Sequence, residues 1–172
     1  NINTGSYVGW QWNAGSGSSS SNTNGSITST VSANPTGGFS VVTYTGTGAN
    51  ASISNAVNGV SMKPDLVWVK IRSDAGTHIL TDAVRGANKQ LYSNLTNAEG
   101  TDVNIVSFNS NGFTVNQSAN YELSHSGATY VAWQWQAGQG TTSSNTSGSI
   151  TSTVSVNASA GFSVVTYTGN GS

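Results

Sequence analysis

The chain contains no cysteine and very little charge. Without thiols, neither disulfides nor thiolate metal sites are available. Stability must come from packing, assembly or attached glycans instead. Asp, Glu, Lys and Arg make up only 6% of the 172 residues, against roughly 25% in ordinary soluble domains. Five cations and six anions leave a net charge of −1. This excludes the basic footprint of a nucleic-acid binder. A nearly neutral surface also has little like-charge repulsion to keep copies apart. No apolar run approaches the roughly 18 residues of a membrane-spanning helix. No segment of about ten residues or more shows helical periodicity. No secretory leader is visible; the chain opens at Asn1 without methionine and reads as an excerpt from something longer.

What is present is a repeat. Tyr7-Val8-Gly9-Trp10-Gln11-Trp12 returns as Tyr130-Val131-Ala132-Trp133-Gln134-Trp135. The stretch from Gly25 to Ser32 returns from Gly148 to Ser155, and that from Gly38 to Gly46 returns from Gly161 to Gly169. The offset is 123 residues throughout, without a gap, and 31 of 42 positions from Tyr7 to Gly48 are identical to their partners. Chance does not produce this, and self-similarity at a fixed period is the signature of an array. The large apolar and aromatic positions are kept, while Gly9 becomes Ala132, Asn13 becomes Gln136 and Pro35 becomes Ala158. That pattern fits selection for packing and shape.

β-Branched and aromatic residues dominate the ordered-looking segments. Strands are predicted at 39–45, 65–71, 77–81, 90–93, 103–108, 113–116 and 129–135. Asn109-Ser110-Asn111-Gly112 predicts a hairpin, with Asn-Gly supplying positive φ angles. Alternation places Val131, Trp133 and Trp135 on one face, and these indoles, with Trp10, Trp12 and Trp68, are expected to be core. In the second copy, Ile150, Ser152, Val154 and Val156 share a face of an edge or connecting strand. Short strands spaced by turns predict an all-β chain, an antiparallel β-sandwich of jelly-roll or immunoglobulin-like type. The expected division has five parts. Residues 1–13 hold the terminal strand of a preceding repeat. Residues 14–38 form a Ser/Thr/Asn/Gly-rich connector, with a strand at 27–31. Residues 39–137 form the sandwich, 138–160 a second connector, and 161–172 the first strand of a following repeat.

Catalysis has little to work with. His125 aligns with Ile2 of the other copy, so the repeat does not need it. His78 reads as a half-buried strand residue, and a positioned nucleophile–base pair is not indicated. Asp65, Asp74, Asp82, Glu99, Asp102 and Glu122 lack the spacing of a calcium loop and read as solvated loop charges. No cofactor and no metal are expected, and the chain is not expected to be an enzyme. Tyr44, Tyr92, Tyr121 and Tyr167 could stack on sugars if exposed. Asn-x-Ser/Thr triplets at Asn24, Asn50, Asn94, Asn116, Asn145, Asn157 and Asn170 are candidate glycosylation sites.

Several motifs together resemble one family. They are Pro64-Asp65-Leu66-Val67-Trp68-Val69-Lys70, Asp82-Ala83-Val84-Arg85-Gly86-Ala87-Asn88-Lys89-Gln90-Leu91-Tyr92-Ser93-Asn94, Ala98-Glu99-Gly100-Thr101 and Phe108-Asn109-Ser110-Asn111-Gly112-Phe113-Thr114. Tyr130 to Gly138 and Gly161 to Gly169 belong with them. This set resembles a repeat domain of tail-fibre and other virion proteins of aquatic bacteriophages. The likeness covers nearly the whole chain; the family often carries Cys where this chain has Gln134. The resemblance implies an extracellular or virion-surface β-domain in tandem array, with no catalytic residues to carry over. The expected function is therefore a structural subunit of an extracellular fibre, partnered head to tail with itself. Its contact strands are Tyr7, Val8, Trp10 and Trp12 at one end and Phe162, Val164, Val165 and Tyr167 at the other. The alternative expectation is a tail-fibre or adhesin module that binds cell-surface glycans.

Overall fold

The computed structural model describes residues 5–116 and 123–171. The expectations for Ile2, Tyr121 and Glu122 therefore lie outside the described residues. Every regular element among the described residues is a strand: β1 Ser20–Asn22, β2 Ser29–Asn34, β3 Phe39–Thr45, β4 Ala51–Ser54, β5 Leu66–Ile71, β6 His78–Asp82, β7 Leu91–Tyr92, β8 Ile105–Asn109, β9 Gly112–Val115, β10 Thr129–Trp135, β11 Ser143–Asn145, β12 Ser152–Asn157 and β13 Phe162–Tyr167. All pairings are antiparallel. A seven-stranded sheet has the order β1-β2-β3-β10-β5-β6-β7, and a three-stranded sheet has the order β4-β9-β8. A second three-stranded sheet, β11-β12-β13, follows in the chain.

The first two sheets share one core. Val31, Val42, Tyr44, Val67, Val69, Ile79, Tyr130 and Ala132 point inward from the seven-stranded sheet. Ala51, Ile53, Ile105, Phe113 and Val115 meet them from the other. This two-layer arrangement is consistent with a β-sandwich. Alternation explains each strand: in β5, Val67 and Val69 face the core while Leu66, Trp68 and Lys70 face out. At the centre, Tyr44 stacks on Tyr130 with ring centroids 5.0 Å apart and donates its hydroxyl to the Leu123 carbonyl at 2.9 Å.

Several expectations change. The strand expected at 27–31 within the connector is present as β2, Ser29–Asn34, and β1 precedes it, so the sheet begins before residue 39. The reason is visible in Val31, which is completely buried against the core and is not a linker residue. Strand β4 was not anticipated, because Ala51–Ser54 carries one strongly β-forming residue, Ile53, in four. The hairpin joins β8 to β9, but Asn111 does not take a positive φ; Gly112 does, at 146° and already inside β9. A Cβ there would run into the Ile53 carbonyl of β4, so glycine serves strand packing, not the turn.

The aromatic faces are also reassigned. Val131, Trp133 and Trp135 do share a face of β10, but it is the outer one. Tyr130, Ala132 and Gln134 face inward and are fully buried. Gln134 accepts from Asn55 Nδ2 at 3.0 Å through its Oε1, while its Nε2 is buried without a hydrogen-bond partner. Across the outer face, register aligns Val41, Trp133, Trp68, Leu80 and Leu91 in one row.

Candidate functional site

The site assembles around two aromatic contacts that recur at the 123-residue offset. Trp12 lies 5.9 Å from Phe39, centroid to centroid, and its counterpart Trp135 lies 6.1 Å from Phe162. These contacts are 123 residues apart and involve the same two residue types. Between them, Phe39 and Trp135 are directly opposed in the β3–β10 pair at 5.0 Å. Trp12 also meets Trp135 edge-on at 5.4 Å. The result is a continuous aromatic ladder, Trp12–Phe39–Trp135–Phe162. It explains why Phe39 and Trp135 are buried although they project from the outer face.

The local turns repeat as well. Ser16 and Gln139 occupy the same position in the two copies and adopt φ of 57° and 55°. Asn34 Oδ1 accepts from the Gly37 N–H at 2.9 Å, and Asn157 Oδ1 from the Ala160 N–H at 3.1 Å. At the first junction the Ser32 hydroxyl donates to the Ala14 carbonyl. At the second, the Gly138 N–H donates to Ser155 Oγ at 2.9 Å.

Asp65 holds the exit from β10. Its carboxylate is wholly buried and accepts from the backbone N–H groups of Ala137 (2.7 Å), Gln139 (2.8 Å) and Gly140. Charge-assisted bonds of this kind are stronger than neutral ones, so the turn leaving the unit is fixed in direction. Asp65 is thus not a solvated loop charge. Nor is Asp82, which pairs with Arg85, while Glu99 pairs with Arg85 at 3.1 Å and Lys89 at 3.3 Å. The Arg85 hydrogen bond, ahead of Lys89, holds the Glu99 carboxyl below its usual range. Asp74 is exposed and caps its own turn through the Ala75 N–H, and Asp102 accepts from Gln90 Nε2. No group of three or more His, Asp or Glu gathers for a metal among the described residues.

The expected contact residues divide into two ends. Tyr7, Val8, Trp10 and Trp12 form no strand and are 77%, 73%, 73% and 51% exposed; Trp10 and Trp12 are therefore not core. Their counterparts in β10 range from half-buried to fully buried. The strand core of this sequence needs strands on both sides, and residues 7–12 have none. In β13, Phe162 rests on Trp135 and Val164 is half-buried, while Val165 and Tyr167 are 47% and 70% exposed. One edge of β13 pairs with β12; no described strand pairs with the other.

Among the candidate glycosylation sites, Asn24, Asn50, Asn94, Asn145 and Asn170 are exposed, and Asn116 and Asn157 are half-buried. Asn157, the last residue of β12, accepts from the Ala160 N–H, and Asn94 Oδ1 accepts from the His78 N–H. Of the tyrosines, Tyr44 is core, Tyr92 half-buried and Tyr167 exposed. Half-buried Trp68 and Trp133, 5.4 Å apart, line an open groove of about 480 Å³ with Trp10, Gln11, Trp12 and Val41. Sequence reasoning missed Asp65 and Phe39 as junction residues. The signal for Phe39 was present, since it recurs as Phe162; Asp65 has no second copy within the chain.

Residues 1–58 and residues 52–172 each match one family model, described as a domain of unknown function (DUF7483). The second match is close to one repeat period in length. No curated protein and no solved structure matches the chain.

Proposed function

We propose, for a chain that belongs to the DUF7483 family, a structural role in an extracellular or virion-surface fibre. Units of β-sandwich type, repeated in tandem, join head to tail, and terminal strands complete neighbouring units. One observation carries this reading. A single sequence is buried where the rest of its own unit supplies its partners, as in β3 and β10. The same sequence is exposed where none does, as in residues 7–12 and β13. Fully burying one large apolar side chain contributes about 1.5–3 kcal/mol, so several exposed at each end favour association. Exposed strand edges act in the same direction. The recurrent Trp–Phe contact supplies a fixed junction, and head-to-tail contacts that do not close propagate into filaments. The two family matches support the same view, because β1–β3 fall in the first and β5–β7 and β10 in the second, yet they form one sheet. The resemblance to phage virion repeat domains supports the location. Asp65, Asp82 and Glu99 are engaged in structural bonds, which supports a non-catalytic role.

Sedimentation and electron microscopy of the full chain test this. Concentration-dependent linear oligomers with an axial spacing of one unit are expected. A chain that stays monomeric at high concentration, with both ends ordered, overturns it.

The Trp68–Trp133 groove favours a second reading, a module that binds cell-surface glycans through stacked indoles. Quenching of tryptophan fluorescence by polysaccharide, lost in Trp68→Ala, would support that reading; unchanged fluorescence would remove it.

A further inference from the structure

We propose that the outer face of the seven-stranded sheet, at the end away from Phe39 and Trp135, is a binding site for an acidic polysaccharide. The Arg72 guanidinium takes the anionic group, and the threonine hydroxyls around it take the hydroxyls of the sugar. The site lies within one unit, on β2, β3, β10 and the end of β5, and rests neither on fibre assembly nor on the indole groove.

Alternation and register build it. Thr43 and Thr45 flank inward-facing Tyr44 on β3, so both face out. Thr30 of β2 lies opposite Thr43, and Thr129 of β10 lies opposite Thr45. Arg72 follows β5 and donates its backbone N–H to the Thr129 carbonyl at 2.7 Å. With Thr28, these residues line an open depression of about 160 Å³. None of the five threonine hydroxyls is bonded to a described residue, whereas the Ser32 and Ser124 hydroxyls donate to backbone carbonyls. The Arg72 side chain is exposed and has no ion pair or hydrogen bond among the described residues. The neighbouring charges are turned elsewhere: Lys70 Nζ donates to the Ile71 and Asp74 carbonyls, and Asp74 Oδ1 accepts from the Ala75 N–H.

A guanidinium presents a planar fork that fits an oxyanion. Hydroxyls donate and accept, as those of a sugar do. One cation among five hydroxyls therefore suits a ligand that is mostly hydroxyl with one charge per ring, while a nucleic acid would need a row of cations. The second copy repeats the depression with Thr151, Thr153, Thr166 and Thr168. Six exposed polar positions change between the copies: Ser16, Ser18, Ser19, Asn24, Thr36 and Thr47. Thr28, Thr30, Thr43 and Thr45 do not change, although valine would serve a strand as well. What is kept at these positions is the hydroxyl.

Isothermal titration of the full chain with oligogalacturonate, dextran sulfate and neutral dextran tests this. Binding of an anionic glycan that weakens as salt rises is expected, with no binding of neutral dextran. Arg72→Gln should weaken it at least about tenfold. Arg72→Lys should restore part of the loss, since it keeps the charge without the fork. Thr45→Val should weaken it severalfold. Thermal unfolding should be unchanged in Arg72→Gln, because that side chain bonds to nothing in the unit, and this separates lost binding from lost folding. Binding of oligogalacturonate makes the ligand a carboxylate and binding of dextran sulfate makes it a sulfate; either supports the site. No binding of either, equal binding of neutral dextran, or full binding by Arg72→Gln overturns it. Full binding by Arg72→Gln that is lost in Trp68→Ala assigns the ligand to the indole groove instead.

Discussion

β1–β3 and β11–β13 repeat one sequence and pair identically, with Ser20 opposite Val31 in the first and Ser143 opposite Val154 in the second. Their surroundings differ. In the first set, Val31, Val42 and Tyr44 are 0%, 0% and 4% exposed. In the second, Val154 is half-buried and Val165 and Tyr167 are largely open. Pairing and turns are thus local properties, carried by the alternation and by Asn34 or Asn157. Burial is not local. It requires β10 along the edge of β3 and the β4-β9-β8 sheet across its face. The same strands are a wall of the core in one place and largely open in the other.

The comparison breaks most visibly at its tyrosines. Tyr44→Ala removes a buried ring, its stack on Tyr130 and its bond to Leu123, and should cost about 3–5 kcal/mol in chemical denaturation. Burial, with Tyr130 adding to it, pushes the Tyr44 phenol well above its ordinary range, so the ring is neutral throughout. Tyr167→Ala should change unit stability by no more than about 0.5 kcal/mol. Similar losses from both would show that β13 is already covered in solution.

Asp65 comes next. Asp65→Ala leaves the N–H groups of Ala137, Gln139 and Gly140 without their acceptor. A loss of about 1.5–3 kcal/mol is expected, together with faster amide exchange at residues 137–140. Unchanged exchange there would mean that the exit turn is held by the Trp135–Phe162 contact alone. Asn22 gives a smaller contrast. Its Nδ2 donates to the Ser54 and Ala56 carbonyls, while its counterpart Asn145 is exposed. Asn22→Ala should cost about 1–2 kcal/mol, and Asn145→Ala close to nothing. A glycan on Asn145 would block the docking that Asn22 shows, so occupancy there by mass spectrometry would argue against burial of β11 in assembled material.

Much of this was legible in the chain. Strands β3 and β10 were placed to the residue, because Phe39–Thr45 and Thr129–Trp135 are dense in β-branched and aromatic residues. The repeat gave the two junctions. What could not be read was which face of β10 is inside. Trp133 and Trp135 are the larger hydrophobes, and size argued for the core. The core instead takes Tyr130, Ala132 and Gln134: Tyr44 stacks on Tyr130, and Asn55 donates to Gln134 Oε1. Both partners are distant in sequence. The role of β1 and β2 was hidden for a similar reason. Ser, Thr and Asn dominate them, and only a small inward residue set, Asn22, Ser29 and Val31, marks them as part of a sheet. Asp65 looked like a loop charge because its three donors are backbone groups of residues 137–140, invisible in side-chain identity.

Acid provides the mildest contrast. All eleven Asp, Glu, Lys and Arg residues lie between Lys63 and Glu122, and both histidines lie within the unit. His78 sits opposite Lys70 and beside the Trp68 ring. Partial burial, and then the Lys70 charge, hold its imidazole below the ordinary 6.5. The folded state therefore binds fewer protons than the unfolded one once pH falls through 6.5. Stability should drop from there and level off below the folded value. Melting followed from about pH 8 to pH 5 should show a small decline that His78→Gln flattens. Glu99 adds a second decline only below its ordinary 4.5, since its native value is lowered. Amide exchange in β11–β13, corrected for intrinsic rates, should stay level across the same range. An acid-dependent change in β13 would mean that it packs against the charged region of a neighbouring copy, and so would place a unit, not a strand edge, on its open face.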